Sequence, residues 1–207
     1  SQLTLMMPAI VLKGTQQAID FYERLIEELE ERTSHGIAAK DEEKYRLMWD
    51  NIPMWFHMPL FNDLENRGVV IVISPYTAMW GAEMPSSFRQ DENSKKLLQW
   101  KDPTNLKEAV REMAKNYLES YLSIELQKHF SYYKKLIQEY SVDGVIFHSN
   151  RGCKNISLGR MEVQRWIDEN MDIPTTIIEG NSGDRMDYSE GPVRTRLEAF
   201  LEVLMME

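Results

Sequence analysis

The only cysteine of the chain, Cys153, stands in the stretch Asp143 to Lys154 (DGVIFHSNRGCK), where the apolar run Val145, Ile146 and Phe147 leads into a polar, basic loop. A thiol flanked by Arg151 and Lys154, close to a helix expected to begin near Ser157, has two cations and a helix N-terminus to favour its negative form. Thiolates bind soft metals and attack electrophiles. Unpaired cysteine is also among the most buried residue types, so a packing role is the alternative, against which the polar neighbours argue. One thiolate cannot alone hold a structural zinc or an iron–sulfur cluster, each of which takes about four ligands. A cysteine hydrolase would need a base, and only His148, five residues upstream, is offered. The residues leave the thiol three meanings: ligand, nucleophile or packing group. His148 is read as support for the loop, together with Ser149, Asn150, Arg151 and Lys154.

Other motifs are excluded. There is no GxGxxG, and Gly152-Cys153-Lys154 lacks the upstream glycine and the following hydroxyl of a phosphate-binding loop. HExxH and GxSxG are likewise missing, and the four histidines (His35, His57, His129, His148) are scattered. A polar turn, Glu179 to Asp184, follows the last expected strand, with Arg185, Arg194 and Arg196 nearby. It reads equally well as a site edge or as surface arginines pairing with Glu190 and Glu198.

The elements that must position these residues follow from periodicity. Thr15 to Arg32 reads as an amphipathic helix with Ile19, Tyr22, Leu25, Ile26 and Leu29 on one stripe. Lys44 to Ile52 reads as a strand, followed by a helix starting at Pro53 and running to about Asn66. Val69 to Ser74 is the clearest strand, opening on five consecutive β-branched residues. Tyr76 to Asp102 reads as an irregular binding loop carrying Met79, Trp80, Met84 and Trp100, apolar groups expected at a contact with another domain or subunit. Helices are expected over Asn105 to Ser141 in two pieces, Met161 to Asn170 and Ser189 to Met206, and strands from Gly144 and over Pro174 to Glu179. This alternation predicts an α/β fold: a flavodoxin-like or Rossmann-like parallel sheet of about four strands flanked by helices. Residues 1–40 read as a helical linker and 41–207 as the α/β domain. Ligands gather where such strands end, so Trp49, Asp50 and Asn51, Ser74 and Tyr76, and Glu179 and Asn181 are candidate cleft residues beside the Cys153 loop.

Composition sets the outer bounds. Twenty-four basic against thirty-three acidic residues give a net charge of -9, which opposes binding to a phosphate backbone and argues against nucleic-acid partners. No apolar stretch reaches the roughly twenty residues that span a bilayer. A lone cysteine and the lack of a signal-peptide pattern predict a reducing cytoplasm. The initial Ser1 points to a processed chain or a piece of something longer.

Taken in order, Tyr45 to Phe56 (YRLMWDNIPMWF), Asp143 to Lys154, Ile173 to Gly180 (IPTTIIEG) with Asp184, and Tyr188 to Leu201 (YSEGPVRTRLEAFL) make the chain resemble the 2-hydroxyacyl-CoA dehydratase and benzoyl-CoA reductase subunits. The resemblance implies a C-terminal flavodoxin-like domain of a longer subunit, and a 4Fe-4S cluster held by three cysteines. Cys153 matches the one from the C-terminal domain; the two from the N-terminal domain have no counterpart here. It further implies an acyl-CoA substrate, a second homologous subunit and an ATP-dependent activator protein that delivers one electron. In the dehydratases a ketyl radical then permits loss of the 2-hydroxyl group; in the reductases the acceptor is an aromatic ring. The contrasting reading is a free-standing α/β module that binds a CoA-like ligand or a partner protein without redox chemistry.

Overall fold

A computed structural model describes residues 2–40, 43–81, 105–118 and 121–206. The sheet has four parallel strands, β1 (Tyr45–Asp50), β2 (Val69–Ile73), β3 (Gly144–Asn150) and β4 (Thr175–Gly180), in the order β2-β1-β3-β4. That is the flavodoxin-like winding, whose ligand crevice opens where the strand order reverses, between the ends of β1 and β3. The helices are α1 (Gln2–Val11), α2 (Gln16–Ser34), α3 (Pro59–Glu65), α4 (Pro75–Gly81), α5 (Leu106–Leu118), α6 (Leu126–Glu139), α7 (Lys154–Ser157), α8 (Arg160–Asn170) and α9 (Glu190–Met206). None is long and apolar enough to cross a membrane, among the described residues.

Alternation along the strands sorts the core into two layers. Leu47, Trp49, Ile146 and Ile178 face Leu60 and Leu64 of α3 and Val193, Leu197, Phe200 and Leu201 of α9. Met48, Val145 and Phe147 face Tyr132, Tyr133 and Leu136 of α6 and Val163 and Ile167 of α8. Both faces of β1 and β3 are therefore covered, which explains why these strands are apolar almost throughout. The helical pair before the sheet begins cleanly: the Thr15 hydroxyl accepts from the Ala18 N–H and caps α2.

Register decides where the rim lies. Leu47 pairs with Gly144 and Asp50 with Phe147, so β1 stops three residues before β3, which continues beside β4 until Asn150 meets Gly180. His148, read from the sequence as the strand end, and Ser149 and Asn150, read as the exit into the loop, are the last residues of β3, because β4 supplies a ladder there.

Three further expectations change. The helix expected from Pro53 starts instead at Pro59, after a 3-10 turn over Trp55–His57. Met54 is fully buried in an extended conformation and Trp55 donates its N–H to the Ser182 carbonyl at 3.0 Å, which ties this segment to the loop after β4. The stretch from Tyr76 opens as a helix rather than a loop, since α4 covers Pro75–Gly81; Met79 packs half-buried on the second core layer. Met84, Trp100 and the Trp80 side chain lie outside the described residues. The helix expected near Ser157 is split: α7 is a single turn, and α8 starts at Arg160 after Gly159 at φ +78°.

Gly144 shows how closely α9 sits on the sheet. A Cβ there would stand 2.9 Å from Phe200 Cζ and 3.2 Å from the Pro174 carbonyl oxygen. Gly144→Ala is therefore expected to lower unfolding free energy by about 1–3 kcal/mol, and Gly144→Ala/Phe200→Leu to cost less than the sum of its single changes. Urea unfolding of the three variants checks this; additive losses would show that the ring is not what excludes the methyl group.

Candidate site at the β1–β3 switch point

Asp50 ends β1 on the α6–α8 face, fully buried. Its Oδ1 accepts from the Tyr121 hydroxyl at 2.6 Å and from the Tyr133 hydroxyl, while Oδ2 faces Arg160 Nε at 3.3 Å. Arg160, 5% exposed, also donates through Nε to the Ile156 carbonyl and through Nη1 to Tyr133 Oη at 3.2 Å and His129 Nδ1 at 3.5 Å. Its guanidinium stacks 5.0 Å from the Tyr121 ring centroid. Burial opposes the Arg160 charge, and Asp50 with the two tyrosines more than offsets this, so the group stays cationic. Burial, reinforced by Asp50, pushes the Tyr121 hydroxyl well up and keeps it protonated as a donor. Burial and Arg160 together pull His129 down to about 4, leaving a neutral acceptor.

The next two residues turn the chain across the end of β3. Asn51 adopts φ +79°, a left-handed conformation that asparagine tolerates better than most residues. Its Oδ1 accepts from the Ile52 N–H at 2.7 Å and its Nδ2 donates to Ser157 Oγ at 3.0 Å. The Ile52 carbonyl meets His148 Nδ1 at 2.6 Å. A carbonyl only accepts, so Nδ1 carries the hydrogen and Nε2 presents a bare lone pair. Burial lowers the proton affinity of His148, against smaller opposing effects of the Ile52 carbonyl and Asp50. Its Nε2 is buried with no hydrogen-bond partner among the described residues.

Cys153 follows three residues after the end of β3, half-buried against the second core layer. Its N–H donates to the Asn150 carbonyl at 3.2 Å and its carbonyl accepts from the Ser157 N–H at 3.2 Å. Asn150 is 1% exposed; its Oδ1 accepts from Gly152 at 3.0 Å and Ser182 at 3.3 Å, while Nδ2 has no partner among the described residues. Gly152 lies so close to the β4 loop that a Cβ would stand 2.9 Å from Asn181 Oδ1.

The two cations expected at the thiol, Arg151 and Lys154, are both exposed. Arg151 is exposed and pairs with Glu179 at 2.9 Å and Asp187 at 3.5 Å. Its charge is answered by two carboxylates. Lys154 is exposed at the start of α7, and α7, one turn long, offers little helix field. Ser149 is half-buried opposite Glu179 in the ladder. Asn181 donates to Asp187 and accepts from the Gly183 and Asp184 N–H groups, which shapes the β4 turn. Of the surface arginines, Arg194 pairs with Glu198 at 2.8 Å, as the plainer reading had it.

The switch point thus gathers Asp50, Asn51, His148, Asn150, Cys153, Glu179 through Arg151, and Asn181 through its approach to Gly152. Trp49 is 1% exposed and belongs to the core. Ser74 and Tyr76 stand one strand further out, at the end of β2, where the buried Ser74 Oγ has no hydrogen-bond partner among the described residues. Sequence reasoning missed Tyr121, His129, Tyr133, Ser157, Arg160 and Asp187. Arg160 is one of several charged residues in α8, and nothing in its spacing marks it as the buried one.

A half-buried thiol in a loop whose last strand residue, Asn150, keeps a side-chain N–H without a partner among the described residues is compatible with an anionic metal–sulfur group, which N–H donors stabilise. No set of three or more His, Cys, Asp or Glu side chains able to hold a metal occurs among the described residues. Cys153 would be one ligand among several.

The fold and the cysteine loop at its switch point define a flavodoxin-like α/β domain. The family described as 2-hydroxyglutaryl-CoA dehydratase, D-component, matches residues 1–204, and the chain belongs to it. It is 27% identical over 201 residues to the alpha subunit of (R)-2-hydroxyglutaryl-CoA dehydratase from Acidaminococcus fermentans, covering 96% of this chain and 37% of that protein. It is 27% identical over 185 residues to the alpha subunit of lactoyl-CoA dehydratase from Anaerotignum propionicum, covering 88% and 39%. It is 28% identical over 199 residues to a subunit of the benzoyl-CoA reductase from Thauera aromatica, covering 93% and 43%. The chain therefore spans less than half the length of these relatives.

Two outcomes test the electrostatics. Arg160→Met should cost about 3–5 kcal/mol because it leaves Asp50 buried and unpaired, whereas Asp50→Asn/Arg160→Met should cost less than Arg160→Met alone; equal losses in urea unfolding would mean the pair carries no coupling. Because His129 is lowered to about 4, the unfolded chain takes up its proton near 6.5 first, so stability is full above that pH and falls as pH drops toward 4. His129→Gln should flatten the slope between pH 7 and 5, leaving the smaller contribution of His148; an unchanged slope would contradict the buried neutral state.

Proposed function

We propose that the chain is the C-terminal part of an iron–sulfur acyl-CoA dehydratase or reductase subunit, in which Cys153 supplies one ligand to a 4Fe-4S cluster. The observation that carries this reading is the placement of the chain's lone thiol at the β1–β3 switch point, its N–H bonded to the Asn150 carbonyl at the end of β3, in a member of this family. Its relatives carry the names of 2-hydroxyacyl-CoA dehydratase alpha subunits and of a benzoyl-CoA reductase subunit. The substrate is accordingly a CoA thioester, and the partners are a second, homologous subunit and an ATP-dependent activator that supplies single electrons.

A bound cluster would pass one electron toward the thioester, permitting loss of the 2-hydroxyl group in a dehydratase or reduction of an aromatic ring in a reductase. The chain's own residues hold and insulate that site. Cys153 binds iron as a soft thiolate. Asn150 keeps its Oδ1 on the loop backbone, which leaves Nδ2–H available to an anionic sulfur. His148 braces the β1 turn through Ile52 and presents a lone pair rather than a positive charge. The paired Arg151, Glu179 and Asp187 form the outer, wet edge.

In the full-length subunit, Cys153→Ser should lose iron and one-electron reduction by the activator while the domain stays folded. Oxygen is nearly isosteric with sulfur and is the harder, poorer ligand for a cluster iron. Cys153→Ala should behave alike. Iron content, melting temperature and reduction are read on one sample: full iron with normal reduction would rule out ligation by Cys153, and a lower melting temperature with activity retained per folded molecule would make it a packing residue.

A further inference from the structure

Ser157 makes three side-chain hydrogen bonds. Its hydroxyl donates to the Asn150 carbonyl at 2.9 Å and accepts from the Asn150 N–H at 3.1 Å and Asn51 Nδ2 at 3.0 Å. That one oxygen saturates both backbone groups of the last β3 residue and joins them to the residue after β1. The segment between Asn150 and Ser157 is thereby closed at its two ends, and Cys153 lies inside it with its own N–H and carbonyl bonded to Asn150 and Ser157. The other anchor is Arg160, which holds the Ile156 carbonyl while paired to Asp50. Both anchors run back to consecutive residues at the end of β1, so the cysteine's main chain is referred to the sheet and not to its exposed neighbours.

We propose that Ser157, through Asn51, is the positioning residue for Cys153: the hydroxyl fixes where the thiol stands at the switch point. A residue that only filled space here would not need a hydroxyl, and a bond within α7 alone would not cross to β1. Asn51, with its backbone at φ +79°, places its amide on Ser157 across the gap between the ends of β1 and β3. The importance of this position for chemistry rests on the proposed role of Cys153; the position itself does not.

The test is the rate at which iodoacetamide alkylates Cys153 in the chain as it is. Losing the Ser157 hydroxyl frees a half-buried thiol through local opening, so Ser157→Ala, which loses three hydrogen bonds whose worth water partly restores, should alkylate roughly tenfold faster. Ser157→Thr keeps the hydroxyl and should restore a rate near that of the unaltered chain. Asn51→Gly, which suits φ +79° and removes the donor to Ser157 together with the acceptor of the Ile52 N–H, should accelerate alkylation in the same direction. Ile167→Val, a core change in α8, should leave the rate alone despite its cost in stability. An unchanged rate in Ser157→Ala, or an equal rise in Ile167→Val, overturns the proposal. If Ser157→Ala does not fold, Asn51→Gly decides; failure of both to fold also overturns it, since the bonds would then serve the whole fold. Iron retained in Cys153→Ser would defeat the ligand reading alone, whereas Ser157-independent alkylation with iron lost in Cys153→Ser would defeat this inference alone.

Discussion

The buried pairing of Asp50 with Arg160 is the constraint on which the rim depends. Two charges with 0% and 5% side-chain exposure persist only if their hydrogen-bonding capacity is met, because the desolvation penalty otherwise exceeds their attraction. Tyr121 and Tyr133 meet it at Oδ1 of the carboxylate, and the Arg160 charge alone answers Oδ2; Ile156, Tyr133 and His129 accept from the guanidinium. These groups come from several parts of the second layer: Tyr133 and His129 from α6, Arg160 from α8, Ile156 from α7. An apolar substitute of equal volume could pack the same space, but it would not fix the rotation of α7 relative to β1. Direction is what the charged pair adds.

From that anchor the arrangement of the rim follows. β1 stops at Asp50, three rungs short of β3, so the last part of β3 is flanked on one side by the Asn51–Ile52 turn and on the other by β4. The turn engages Ser157 and His148; the β4 side engages Asn150, Gly152 and Arg151. Cys153 lies between these two sets of bonds. Buried polar groups are nearly always paired; besides Trp49 Nε1 and Asp50 Oδ2 on β1, two atoms of this region without a hydrogen-bond partner among the described residues, Asn150 Nδ2 and His148 Nε2, lie on the strand that leads to the thiol. One is a donor and the other an acceptor.

Much of this architecture was legible because it is local. β-branched runs give Val69–Ile73 and the apolar core of β3, and the alternation of strand and helix gives a parallel sheet whose loops converge on one rim. What escaped was set by distant partners. Asp50 reads as a polar strand end, yet its carboxylate is held by residues 71 and 83 positions away. Arg151 reads as a cation for the thiol, but Glu179, 28 positions on, takes it. Pro53 reads as a helix start, and the Ser182 carbonyl overrides it by capturing the Trp55 N–H. Ser157 gave no signal, because a serine near a helix end is ordinary and its three partners are assembled only by the fold.

The central claim is that the switch point presents the Cys153 thiol to a metal–sulfur group completed by residues outside this chain. An anaerobic crystal structure of the full-length subunit tests it most directly. The account predicts Cys153 Sγ within bonding distance of an iron, with the Asn150 amide directed at the cluster and the Ser157 bonds intact. A cluster bound entirely by other residues, with the Cys153 side chain turned into the α6–α8 layer, would contradict it.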